Sequence, residues 1–290
     1  MQYLMLTVTL ITATIQSIFA KEYFTKTKNS SPMMYSFLSV VFALFYFVIY
    51  GSVSGGLDFS NILAFLPYSL AFAIAYGSAV YGSKSALKCG PLALGTLFGA
   101  CSILIPTFLG ILFLGDEMLP PSRIAGLVLL VLAITVANLK KEDARINFIW
   151  VIFVIMNVLG NGFCAFTQAA QVKFQGSSYG DEFMICALAV VAIFMGIAAF
   201  TGSKNAKSEI SESKVWLYGI LSGLANGFTN MMVMLLVNMK VPQSIIQPTV
   251  SAGGLVLTVI AAVLIYKEKQ SRLKVLSFVL GAVSLVLLNV

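Results

Sequence analysis

A chain of 290 residues that is 59% hydrophobic and only 10% charged, with a mean hydropathy of +0.95, carries too little charge to cover the surface of a water-soluble globule. The net charge of +7 would point to nucleic acid in a soluble protein, but here the basic residues sit between apolar runs, so their role is membrane topology and no nucleic-acid partner is expected. The absence of histidine, and four cysteines (Cys89, Cys101, Cys164, Cys186) scattered without C-x-x-C spacing, exclude a zinc site and a disulfide framework.

The fold class expected is an all-α integral membrane protein with ten transmembrane helices, since a bilayer core about 30 Å thick takes roughly 20 apolar residues per helix. In chain order the spans fall at about 3–22, 33–51, 62–84, 91–114, 120–139, 148–172, 180–201, 214–238, 243–266 and 271–289, separated by clusters of turn and charged residues. The first run ends in Ile18-Phe19-Ala20 before Lys21, as a signal peptide would, but it has no basic n-region. Its polar stripe also recurs in mid-chain, where no signal peptidase would cut, so a retained helix is expected.

The stretch from Pro91 to Asn138 occurs twice. Moving 151 places along the chain carries Pro91, Glu117, Arg123 and Asn138 onto Pro242, Glu268, Lys274 and Asn289. An offset of 152 lays Thr9, Thr12, Gln16 and Lys21 over Asn161, Cys164, Gln168 and Lys173. The chain therefore divides into a first five-helix repeat over 1–139, a charged linker over 140–147 and a second five-helix repeat over 148–290. With an odd number of spans in each half, the second repeat is expected to be inverted, which puts a transport site near the midplane between the halves.

Orientation follows from the basic residues. Of the 18, only Arg123, Lys173 and Lys240 fall on one side, leaving 15 for the other, which is therefore expected to be cytoplasmic. Both termini then face outside, and the location is the plasma membrane, here the inner membrane of a bacterium.

Polar groups inside the membrane need partners or water and tend to face the bundle interior. Asn157, Asn161, Cys164 and Gln168 line one helical face of the sixth span, and Thr9, Thr12 and Gln16 line the matching face of the first. Opposed across a pseudo-twofold axis, these faces are expected to line a substrate cavity rather than to act only as packing glue. Asn226 and Asn230 on the eighth span, Gln247 on the ninth, and Tyr76 and Tyr81 on the third extend the candidate set. The substrate-binding expectation thus comprises Thr12, Gln16, Tyr76, Asn157, Asn161, Gln168, Asn226, Asn230 and Gln247.

The 11 acids all fall at or near expected helix ends, which leaves no mid-membrane carboxylate for proton-coupled drug exchange. Asp116, Glu117 and Glu268 precede the fifth and tenth spans, where a carboxylate suits the positive end of a helix. Pro106 and Pro248 each remove a helix hydrogen bond and can kink their spans. The G-x-x-x-G pairs Gly95–Gly99 and Gly219–Gly223–Gly227 are expected to serve close helix packing. With no H-E-x-x-H, G-x-S-x-G or P-loop, no catalytic residue, metal or cofactor is expected. The weaker enzymatic alternative would use Asp181-Glu182 at the surface.

The run from Ala86-Leu87-Lys88 through Pro106 to Gly115-Asp116-Glu117, then Gly126, with Lys267-Glu268 and Gly281 in the second half, resembles the EamA family of the drug/metabolite transporter superfamily. The second half departs from it by placing Leu257 where repeat alignment puts Pro106. The resemblance implies a polytopic carrier of metabolites such as amino acids, sugars or nucleotide-linked sugars, often an exporter, and transfers no binding residue. With the neutral amides above, the expectation is a secondary transporter of a small polar or zwitterionic metabolite, working as a monomer or homodimer in the lipid bilayer. The alternatives are a small-multidrug-resistance-like proton antiporter and a non-transporting membrane scaffold.

Overall fold

The computed structural model describes residues 2–27, 31–89, 101–116, 119–137, 148–202, 209–264 and 272–288. Pro91, Gly95, Gly99, Glu117, Asn138, the 140–147 linker, Lys267, Glu268 and Asn289 lie outside the described residues, as do the side chains of Lys84 and Lys274.

The described chain is helical, with no strand among the described residues. Its helices are α1 (Gln2–Lys26), α2 (Pro32–Ser54), α3 (Ile62–Cys89), α4 (Cys101–Leu114), α5 (Pro121–Ala137), α6 (Phe148–Gln175), α7 (Gly180–Gly202), α8 (Ser213–Asn238), α9 (Gln243–Leu264) and α10 (Arg272–Leu288). Six of them, α1, α2, α3, α6, α7 and α8, are long and apolar enough to cross a bilayer. The apolar surface agrees: Ile152, Ile155, Leu159 and Phe163 form an exposed stripe down α6, and Ile193, Ile197 and Phe200 form another on α7. This is a membrane protein.

Local chemistry explains several helix ends. Ser31 caps α2 ahead of Pro32, whose fixed φ and missing N–H suit the first helical turn. In α4 the proline-containing α-helical turn Leu104–Leu109 passes into a π-helical turn, Gly110–Leu114, which stops at Gly115 in the left-handed region at φ 63°. There the Asp116 N–H donates back to the Gly110 carbonyl at 3.1 Å. Besides Pro248 in α9, a second internal proline, Pro67, lies in the first turns of α3.

Contacts fix the relative directions of the long helices. Gly219, Gly223 and Gly227 of α8 meet Leu38, Phe42 and Tyr46 of α2 in the same order, so these two run parallel, with the glycines in close packing as expected. Helices α2 and α7 run antiparallel, Gly51 lying beside Asp181 and Phe37 beside Gly196 and Phe200. Helices α3 and α7 run parallel, from Ser69 on the Phe183 carbonyl to Gly77 on Phe194. Helices α3 and α6 are antiparallel, with Gly160 against Ala75 and Ala79 and Gly82 against Phe153 and Asn157. Helix α1 opposes α8, since Thr12 meets Thr229 while Tyr23 meets Glu209 just ahead of α8. The main apolar core lies between α2, α3 and α7, around Phe47, Phe65, Phe183, Met184 and Met195.

Four of the hydrogen bonds that join the two halves of the chain form two pairs. The Asp58 N–H donates to Glu182 Oε1 at 2.7 Å, and the Ser31 N–H donates to Glu209 Oε1 at 2.6 Å. Ser277 Oγ donates to the Ala133 carbonyl at 2.8 Å, and Ser284 Oγ to the Gly126 carbonyl at 2.7 Å. Glu182 is therefore buried and bonded rather than on the surface, which corrects the expectation for Asp181-Glu182: a chain-joining acceptor is poorly placed for surface chemistry.

Glu209 also accepts from the Tyr23 hydroxyl at 2.5 Å, so one buried carboxylate ties α1, the start of α2 and the approach to α8. Glu209→Ala removes both bonds to a charged acceptor and is expected to destabilise the protein by about 3 kcal/mol. A lowered thermal midpoint in detergent checks this, and an unchanged midpoint would show that the tie is dispensable.

Candidate functional site

The polar groups of three helices, α3, α6 and α8, converge at mid-height. Gln168, on α6, is only 3% exposed, and its amide nitrogen donates to the Asn230 carbonyl at 3.1 Å, with Asn230 Oδ1 at 3.4 Å. The Asn230 amide nitrogen in turn donates to the Asn226 carbonyl at 2.9 Å and to Asn226 Oδ1 at 3.0 Å. Tyr76, on α3, has the side chains of Asn226 and Cys164 as neighbours, and the Asn226 amide nitrogen is buried without a hydrogen-bond partner. On the other side of α8, Thr229 Oγ1 approaches Thr12 Oγ1 of α1 at 3.0 Å.

The faces of α1 and α6 matched in sequence thus both reach α8, through the consecutive residues Thr229 and Asn230. The reason is packing: the glycine ridge seats α8 on α2, which brings α8 between α1 and α6. Tyr76, Gln168, Asn226 and Asn230 come together in this way, whereas Thr12 meets α8 separately, through Thr229. Gln16 and Gln247 are half-buried on α1 and α9 and are not among the cluster's hydrogen-bond partners. Tyr81 stands apart, edge-on to Phe153 and Phe194.

Asn157 and Asn161 show where the polar face opens. The Asn161 amide donates to Asn157 Oδ1 at 2.7 Å, yet Asn161 is exposed. It points nearly opposite to the exposed apolar stripe of α6, as the 100° step per residue requires, so it does not share the face that α6 turns to lipid. The face therefore runs from an open end at Asn157 and Asn161 to a packed end at Gln168.

One member escapes the i, i+4 reading of that face. Gln171, three residues beyond Gln168, is fully buried with neither its amide nitrogen nor its oxygen partnered by protein. Leaving such a group dry costs about 1–3 kcal/mol, so water or a ligand is called for there. Its only mark in the sequence is an amide inside the apolar run Ala169-Ala170-Gln171-Val172.

A second polar site lies at the end of the bundle expected to face outside. A cavity of about 780 Å³ opens between the ends of α6 and α8 and the starts of α5 and α9, lined among others by Asp116, Arg123, Lys173, Lys240 and Gln243. Asp116 Oδ2 accepts from the Gln243 N–H at 2.9 Å, at the first residue of α9. Burial pushes the Asp116 carboxyl above the usual carboxylate range, against the Gln243 bond and the charge of Lys173, both of which lower it. A carboxyl with a raised folded pKa binds its proton more tightly in the native state, so stability falls as pH rises from the ordinary Asp value through the raised one. Asp116→Asn keeps an acceptor for Gln243 and is expected to flatten that slope in a melting-temperature series against pH.

No protein-family model matches the chain, and no curated protein matches it. A solved structure described only as "Crystal structure of protein" superposes with a TM-score of 0.77 over 99% of this chain and 95% of that one, at 14% sequence identity. At that identity the likeness establishes a shared fold along nearly the whole length and carries no activity across.

Proposed function

We propose that the chain is a secondary transporter that moves a small polar or zwitterionic solute, such as an amino acid or related metabolite, by alternating access between two inverted five-helix halves of the EamA type. The observation that carries this reading is the uncharged cluster of Tyr76, Gln168, Asn226 and Asn230 at mid-height, joined to an open polar face at Asn157 and Asn161. Amides and hydroxyls bind carboxylate, ammonium and hydroxyl groups alike, without the charge that a lipophilic cation would require.

Four of the bonds between halves, taken as two pairs, support the inverted repeat. Moved 151 places, Gly126 and Ala133 become Ser277 and Ser284, so the two α5–α10 bonds exchange places. The same step carries Asp58 to Glu209 and Ser31 to Glu182, which exchanges the other two. The offset read from Pro91, Glu117, Arg123 and Asn138 thus recurs as a contact symmetry. Helix directions agree with it: α3 and α6 run antiparallel, so an even number of crossings separates them, as α4 and α5 would supply.

Among the described residues no acid lies in the middle of a helix, which counts against proton-coupled drug exchange. Reconstitution into proteoliposomes with a panel of radiolabelled amino acids, sugars and nucleosides tests the proposal. Saturable uptake of a polar solute is expected, and protein-independent uptake across the panel would favour a scaffold.

A further inference from the structure

We propose that the outer cavity is an oxyanion-binding site, taking a phosphate or carboxylate group between Arg123, Lys173 and Lys240. This goes beyond the transport reading and stands on separate residues.

Three observations carry it. The side of the membrane that holds only three basic residues places all three around one cavity, although they come from α5, α6 and the turn after α8. Asp116 is the single acid among the described residues lining it, and its Oδ2 is already engaged by the Gln243 N–H, so cationic charge is in excess. Chance placement for topology alone would scatter these residues along the rim.

Unsatisfied donors also lie buried in the cavity wall. Gln243 is 1% exposed and lines the cavity with neither side-chain atom partnered by protein, and Arg123 Nε is likewise buried and unpartnered. An amide N–H and a guanidinium N–H are what an oxyanion accepts from.

The third observation is backbone conformation. Helix α8 ends in a Schellman turn, with the Lys240 N–H on the Val237 carbonyl at 2.8 Å and the Val241 N–H on the Leu236 carbonyl at 3.1 Å. The left-handed position of that turn belongs to glycine on conformational grounds, yet lysine occupies it at φ 61°. A side chain kept at a conformational cost marks a use for that side chain.

The test compares thermal midpoints of detergent-purified protein in inorganic phosphate and in chloride of equal ionic strength, for the wild type, Lys240→Gly and Asp116→Asn. Phosphate is expected to raise the wild-type midpoint in a saturable way, beyond the general salting effect shared by all variants. Lys240→Gly relieves the left-handed strain, so its own midpoint holds or rises, while its phosphate affinity falls about threefold to fivefold, the worth of a partly exposed charge pair. Asp116→Asn removes the opposing charge and is expected to tighten binding. Opposite effects from neighbouring substitutions distinguish a site from a general loss of folding.

A second arm separates a free oxyanion from a lipid headgroup. In nanodiscs, stabilisation by phosphatidylglycerol over phosphatidylcholine that is lost in Lys240→Gly assigns the site to lipid phosphate; saturable phosphate binding in detergent assigns it to a soluble oxyanion. Equal responses of wild type and Lys240→Gly to both probes, or no response of the wild type to either, would overturn the proposal.

Discussion

Gly223→Val is expected to leave little folded protein in a membrane extract. A Cβ at Gly223 lies 2.4 Å from Phe42 Cβ and 2.7 Å from the Ser39 carbonyl oxygen, and the second of these is backbone that cannot rotate away. Valine adds two further methyl groups to that clash, so α8 must lift off α2 along the whole ridge. Overpacking of a close helix contact costs about 3 kcal/mol when the neighbours yield and more when they do not. Inside lipid, close packing is itself a main source of helix association. The cluster suffers with it, because Asn226 and Asn230 lie on the same helix as the glycines. Gly254→Ala, in α9, is the matching control: a Cβ there meets nothing within 4 Å, and the protein should keep its yield and midpoint. Size-exclusion profiles of the three proteins check the pair, and a monodisperse Gly223→Val peak would mean that α2 and α8 are not held by this ridge.

Gln168→Ala is expected to reduce transport at least tenfold while shifting the thermal midpoint little. Its amide makes one good hydrogen bond across to Asn230, and single interhelical bonds in membranes contribute only about 0.6 kcal/mol on average. As packing glue, Gln168 would lower stability and flux together. As part of a solute site, it lowers flux by the lost solute contact, where a factor of ten corresponds to about 1.4 kcal/mol. Asn230→Ala is expected to behave alike, with a larger midpoint shift because it also releases Asn226.

Helix positions were legible because apolar length and turn chemistry act locally. The spans expected at 180–201 and 214–238 appear as Gly180–Gly202 and Ser213–Asn238. Helix α1 runs on to Lys26, past the expected end at 22, since hydrophobicity marks where a span meets water while hydrogen bonding decides where a helix stops. The π-helical turn at Gly110–Leu114 was not legible; Pro106 and Gly115 announce irregularity without its type.

The proposed repeat offset was read from four residues, while the two pairs of bonds related by the same step of 151 involve different ones, Ser31, Asp58, Gly126, Ala133, Glu182, Glu209, Ser277 and Ser284. Only some of these residues share chemistry with the one 151 places along, and a backbone carbonyl leaves no trace in sequence. For the candidate site, the polar stripes marked α1 and α6, whose Thr12 and Gln168 both reach α8. They did not show that α8 separates them, because that depends on where the glycine ridge seats. The cationic cavity was hidden for a similar reason: Arg123, Lys173 and Lys240 are far apart in the chain and read individually as topology.

Cys164 offers the most direct test of alternating access, because it lies one turn from exposed Asn161 and one turn from packed Gln168 on the polar face of α6. In protein whose other three cysteines, Cys89, Cys101 and Cys186, are replaced by serine, a small membrane-impermeant thiol reagent is applied to either face of oriented proteoliposomes. Alternating access around this face predicts that Cys164 reacts from both sides, with a transported solute slowing the reaction. Reaction from one side only, at a rate no solute in the transport panel alters, would contradict alternating access.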